Sequence, residues 1–162
     1  DLPIKLSKAI TLSADSSTLE MAYKLEGLPP DRPLHLAVEF NFAGMPAGAD
    51  DRYFHDPQGN RLGQLGTRLD LAEVAGLGLT DQWLGIDVSM KASRPTGIWT
   101  FPIETVSQSE GGFELVHQSV AVLPHWQIVA DAKGTWEVVM HWAIDTHRAE
   151  NHTQDREVAA TT

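Results

Sequence analysis

The clearest signal along the chain is the alternation from Leu34 to Phe42. Leu34, Leu36, Val38, Phe40 and Phe42 make one apolar row, and His35, Ala37, Glu39 and Asn41 make the other. Such a period of two predicts a β-strand with one face in a core and one polar face free. Two earlier segments, Ile4 to Leu12 and Thr18 to Glu26, read the same way. They are separated by the turn-forming cluster Ala14 to Ser17, and Leu19, Met21, Tyr23 and Leu25 point to one side of the second. The run Gly27 to Pro33 contains three prolines, which donate no backbone hydrogen bond, so it is expected to be a loop. Ala43 to Arg61 has no sustained period and reads as a long loop. Leu62 to Leu79 is ambiguous, because Leu69, Ala72 and Val74 would suit a short helix while Gly63, Gly66, Gly76 and Gly78 favour extended pieces.

Further on, Gln82 to Lys91 places Leu84, Ile86, Val88 and Met90 on one face, Arg94-Pro95 is expected to break the strand, and Gly97 resumes it. The chain is organised around Phe101 to Trp126. There the run Phe113 to Leu123 puts Phe113, Leu115, His117, Ser119, Ala121 and Leu123 on one face, and Glu114, Val116, Gln118, Val120 and Val122 on the other. Both faces are partly apolar, which predicts a central strand covered on both sides, entered through a turn at Gly111-Gly112. Thr135 to Ile144 closes the set, with Trp136, Val138, Met140, Trp142 and Ile144 in one row. About nine extended segments with no confident long helix predict an all-β fold, an antiparallel two-sheet β-sandwich, with a barrel as the alternative. The expected division is a sandwich domain over 1–145 and a polar, loosely held tail over 146–162.

Composition narrows the function classes. The formal net charge of -10 repels phosphate backbones and anionic lipid surfaces, so nucleic acid and membrane are not expected partners. Zero cysteines remove disulfides, thiolate nucleophiles and cysteine-held zinc. No apolar run is long enough to cross a bilayer as a helix, and no secretory signal pattern opens the chain. Because the sequence starts at Asp1, it is expected to be a domain cut from something longer.

The segments VEFNF (Val38 to Phe42), DRYF (Asp51 to Phe54), RLDL (Arg68 to Leu71), FPIETVSQSEGGFE (Phe101 to Glu114) and QSVAVLPHW (Gln118 to Trp126) resemble the C-terminal domain of glycoside hydrolase family 57 enzymes, the alpha-amylase and 4-alpha-glucanotransferase group. The resemblance runs from about Leu2 to Ile144, and the order of Ser107, Gln108, Ser109, Glu110, Gly111 and Phe113 is its most specific part. It implies a β-sandwich of the galactose-mutarotase-like, or supersandwich, type. It also implies a catalytic barrel N-terminal to this domain as partner, alpha-glucan as ligand, a retaining mechanism on alpha-1,4 bonds carried by the parent enzyme, no cofactor, and a cytoplasmic location.

The residues themselves support several chemistries. Glycoside hydrolysis needs two carboxyl groups about 5 to 10 Å apart, and Glu39 with Glu104 is the best candidate pair, the alternative being solvation or pairing with Arg52 or Arg94. Of the five tryptophans, Trp136 and Trp142 belong to the core row, while Trp126 sits at a strand end and Trp99 adjoins a glycine-containing turn, positions where an exposed indole face can carry a sugar ring. The carbohydrate-binding or domain-interface set is therefore Glu39, Asn41, Arg52, Trp99, Glu104, Gln108, Glu110, His125 and Trp126. No residue is assigned a catalytic role. A stand-alone mutarotase-type enzyme, with His125 and Glu39 or Glu104 as acid and base, is the second reading, and a structural module without sugar affinity is the third. Seven histidines show no metal-ligand spacing, and His35, His117 and His141 read as hydrogen-bonded strand residues. Asp50, Asp51, Asp56 and Asn60 crowd one loop and form a weak calcium candidate, against a solvated loop capped by Arg52.

Overall fold

The computed structural model describes residues 3–109 and 111–150. Among them are ten strands: β1 (Lys5–Leu12), β2 (Thr18–Glu26), β3 (Leu34–Ala37), β4 (Phe40–Ala43), β5 (Arg52–His55), β6 (Arg61–Gln64), β7 (Leu69–Asp81), β8 (Ile86–Ser109), β9 (Gly112–Ile128) and β10 (Thr135–Asp145). Every pairing is antiparallel. One path of strands runs β1-β2-β10-β8-β7-β5-β6, and β9 adds to β8 while carrying β3 and β4 on its other edge.

Two long strands make this a sandwich. The first part of β8, Ile86 to Ala92, lies between β10 and the end of β7, whereas its later part, from Thr96 onward, lies between the start of β7 and β9. The chain passes from one layer to the other at Arg94-Pro95. The expected break there is instead a bend in a continuous strand, because β7 skips pairing with residues 92–95 and so asks Pro95 for no hydrogen bond. Leu62 to Leu79 resolves into β6 and the start of β7, with no helix over Leu69 to Val74. On the β7–β8 hairpin, Gln82 to Gly85 form the turn, so Leu84 does not belong to a strand.

The two layers meet through aromatic rings. Phe40 and Phe42 on β4 lie 4.7 and 5.3 Å from Trp142 on β10, and Trp126 on β9 lies 5.6 Å from Trp136. Around them Met21, Leu77, Leu79, Met90, Ile98, Val120, Val122, Val138 and Met140 are buried. The β1 edge outruns this core and leaves Leu6, Ile10 and Leu12 exposed. Residues 147–150 form a short helical turn against Gly85, where the Ala149 amide donates to the Gly85 carbonyl at 3.2 Å. The rest of the expected tail lies outside the described residues.

Candidate functional site

Alternation puts one row of each strand of the β7-β8-β9-β3 layer on its outer side. Trp99 stands opposite Asp70 on one flank and Leu123 on the other, His125 stands opposite Gly97 and Ala37, and His35 stands opposite Gln127. These residues assemble into one cluster. The Trp99 indole donates to Asp70 Oδ1 at 3.0 Å, and the His125 ring stacks on it at 3.9 Å with a 25° tilt. His35 meets Trp99 edge-on at 5.4 Å and shares a 3.1 Å hydrogen bond, Nε2 to Nδ1, with His125. Gly97 makes the stack possible, since a Cβ there would lie 2.3 Å from His125 Cε1. Glu39 and Asn41 extend the same face, with the Asn41 amide donating to Glu39 Oε1 at 2.9 Å.

His125 Nε2 is buried and has no hydrogen-bond partner among the described residues. Burial, helped by the neighbouring His35 and opposed by Asp70, holds the His125 ring below its ordinary value of 6.5. A histidine depressed in the folded state is protonated first in the unfolded chain, so its contribution to stability is complete above about pH 6.5 and declines as pH falls from there through the folded value. Urea unfolding at pH 7.5 and pH 5.5 is expected to show lower stability at the acidic pH. His125→Gln is expected to remove part of that difference, and an unchanged difference would place the titration elsewhere.

A second cluster lines a cavity of about 260 Å³ beside the β7–β8 hairpin. His55 Nδ1 donates to the Asp56 carbonyl at 2.9 Å, its Nε2 lies 3.0 Å from Asp87 Oδ2, and the Thr80 hydroxyl donates to the same carboxylate oxygen. Tyr53, Asp145 and Arg148 are among the other residues that line it. Trp83, at the tip of the hairpin turn, is 70% exposed. Sequence reasoning missed this cluster because His55 lies in a stretch without period. The available signal was Gly78: a strand glycine marks close approach, and a Cβ there would lie 2.0 Å from the His55 ring.

The remaining sequence candidates scatter. Trp126 is a core residue, 5% exposed, whose indole donates to the Thr96 hydroxyl at 3.1 Å, so it offers no sugar platform. It falls inside because it shares the inward row of β9 with Val120 and Val122. Arg52 is committed to Asp81 at 3.0 Å and to Asp51 at 2.7 Å. Glu104 pairs with His117, and Gln108 with Phe113, on an exposed hairpin arm far from the Trp99 cluster. Glu110 lies outside the described residues. In the register of β9, Glu39 falls beside Leu123 and Glu104 beside His117, roughly 20 Å apart along the strand. They also project to opposite faces, so they do not form the carboxylate pair that glycoside hydrolysis requires.

The acidic loop is tied up internally. Asp56 accepts from the amides of Gln58 and Asn60 and from the Asn60 side chain, whose hydrogen bond does most to hold this carboxyl below its ordinary value. Asp50 Oδ1 accepts from Gln64 at 2.6 Å. No group of three or more metal-ligating side chains comes together among the described residues.

No helix among the described residues is long and apolar enough to cross a bilayer. The fold is an antiparallel β-sandwich module with an aromatic and histidine cluster on one outer face. The chain belongs to the family of the alpha-amylase/4-alpha-glucanotransferase C-terminal domain, which it matches over residues 1–140. It is 23% identical over 147 residues to alpha-amylase 1 of Dictyoglomus thermophilum, a match covering 86% of this chain and 20% of that enzyme. The fold is similar to part of the crystal structure of 4-alpha-glucanotransferase from Thermococcus litoralis, with TM-score 0.56 and 20% identity, over 88% of this chain and 18% of that one. The chain therefore spans about a fifth of the length of these relatives.

Proposed function

We propose that this chain is a non-catalytic domain of an alpha-amylase or 4-alpha-glucanotransferase, packing on a catalytic barrel in the parent polypeptide and contributing to alpha-glucan binding. The observation that carries the binding part is the outer face around Trp99, where an indole, two imidazoles and the polar side chains of Asp70, Glu39 and Asn41 share one surface. Sugar rings are bound by that combination of ring faces and hydrogen-bonding side chains. The separation of Glu39 from Glu104 supports a non-catalytic role. So does the enclosure of His125, whose ring is stacked, bonded to His35 and buried at Nε2, and thus poorly placed as the acid or base of a mutarotase-type reaction. A cytoplasmic location follows from the family resemblance.

Titrating the folded chain with maltooligosaccharides, followed by tryptophan fluorescence and heat, tests the binding reading. Saturable binding weakened about tenfold in Trp99→Ala, a loss of roughly 1.4 kcal/mol, and also weakened in Glu39→Ala is the expected result. Circular dichroism checks that each variant is folded. Trp126→Ala is unsuitable because it opens the core. Absence of binding up to millimolar ligand, with the chain folded, would overturn the glucan-binding part.

A further inference from the structure

The β8–β9 hairpin beyond Ile103 is an arm whose core-facing side has no core to face among the described residues. Along β8 the inward row runs Ile98, Thr100, Pro102, and then Glu104, Val106 and Gln108. On β9 the inward row Trp126, Pro124, Val122 and Val120 is followed by an irregularity: Ile103 pairs with Ser119 but Glu104 pairs with His117, so Gln118 is an extra residue. Such a bulge exchanges the faces of the strand. Phe113, Leu115 and His117 therefore continue the core side rather than the side of Ala121 and Leu123.

The consequence is an apolar patch of Val106, Phe113 and Leu115, which are 68%, 78% and 66% exposed. The opposite face of the arm carries Thr105, Ser107, Glu114 and Val116, three of the four polar. On the core side Val106, Phe113 and Leu115 are neighbours, with Glu104, Gln108 and His117 around them, and an exposed apolar patch rimmed by polar residues marks a contact surface. An isolated two-stranded hairpin is at best marginally stable in water. At its foot the patch opens into a cleft of about 570 Å³ walled by Met45, Pro46, Ala47, Glu104, Leu115 and His117. The His117 Nε2–H donates to the Met45 carbonyl at 3.0 Å, which ties the loop to the arm, while its Nδ1 is buried and has no hydrogen-bond partner among the described residues.

We infer that this side of the arm, with the cleft at its foot, is the seat for an apolar surface of the remaining parent polypeptide, which supplies the missing second layer over Val106, Phe113 and Leu115. The inference rests on the reading of the chain as one domain of a longer enzyme, and adds where the contact is made. The matched relatives hold about four-fifths of their length outside the region this chain covers, so a partner surface in the same polypeptide is present at fixed stoichiometry and high effective concentration. A second copy of this chain is the weaker occupant, because two bodies of net charge -10 repel.

Amide hydrogen exchange compares residues 104–108 and 113–117 in the parent enzyme and in this chain alone. Exchange at least a hundredfold slower in the parent is the expected result, and it needs no variant that could misfold. A photo-crosslinker at position 113 of the parent is expected to join the arm to the catalytic portion of the same molecule. Equal exchange in the two samples, or crosslinks only between copies, overturns the proposal. The glucan titration is independent of both readouts: glucan binding with an unprotected arm removes this inference alone, and a protected arm without glucan binding removes only the binding part of the functional reading.

Discussion

Replacing Asp81 by alanine is expected to cost about 3 to 5 kcal/mol of folding free energy, the range for breaking a buried ion pair from one side. Asp81 is 0% exposed, and one of its oxygens accepts from Arg52 Nε at 3.0 Å while the other accepts the Leu84 amide at 2.9 Å. Its removal strands a guanidinium that is itself only 13% exposed, and also unties the turn that presents Trp83. A domain of this size is stable by roughly 5 to 15 kcal/mol, so the variant should sit near the edge of folding. Urea unfolding measures the loss. Asp81→Asn keeps an oxygen for one of the two donors and should fall between variant and wild type, whereas a loss below about 1 kcal/mol for alanine would mean that Asp51 and water take over the arginine.

Gly76→Ala is expected to cost about 3 kcal/mol or more, at the top of the range for overpacked cores. A Cβ at Gly76 would lie 2.2 Å from the Met90 carbonyl oxygen, a backbone atom in the neighbouring strand. Relief requires β7 to move off β8 where Leu77, Leu79 and Met90 are 1%, 0% and 1% exposed. Gly44→Ala is the contrast. Gly44 has φ of 80° but nothing within 4 Å of a new Cβ, so only the backbone preference is lost, about 1 kcal/mol. Comparable denaturation midpoints for the two variants would show that the β7–β8 contact yields more easily than its packing implies.

The strands that were legible are those with one covered face. Leu34 to Phe42 and Thr135 to Ile144 alternate cleanly because each borders the core on a single side, and Phe40, Phe42 and Trp142 meet where their rows predict. Leu62 to Leu79 was ambiguous because its glycines are explained by partners, His55 over Gly78 and the Met90 carbonyl against Gly76, and no local pattern announces a partner distant in sequence. Glu39, Asn41, Trp99 and His125 share one outer face through the register that joins β3, β4, β9 and β8, whereas strand parity in the sequence relates only residues of the same strand, such as Glu39 and Asn41.

By itself the sequence determined the all-β class, the identity of most strands, the family, and which neighbours within an uninterrupted strand share a side, since period-two patterning and turn chemistry act over a few residues. The tertiary structure decided what lies beyond each face. It put Trp126 in the core and Trp83 in solvent, parted Glu39 from Glu104, and brought His35 to His125 across 90 residues. It also turned Phe113 and Leu115 to the core side through one extra residue at Gln118. Burial and proximity depend on which strands become neighbours and on where the opposing sheet ends, and both are set by long-range pairing.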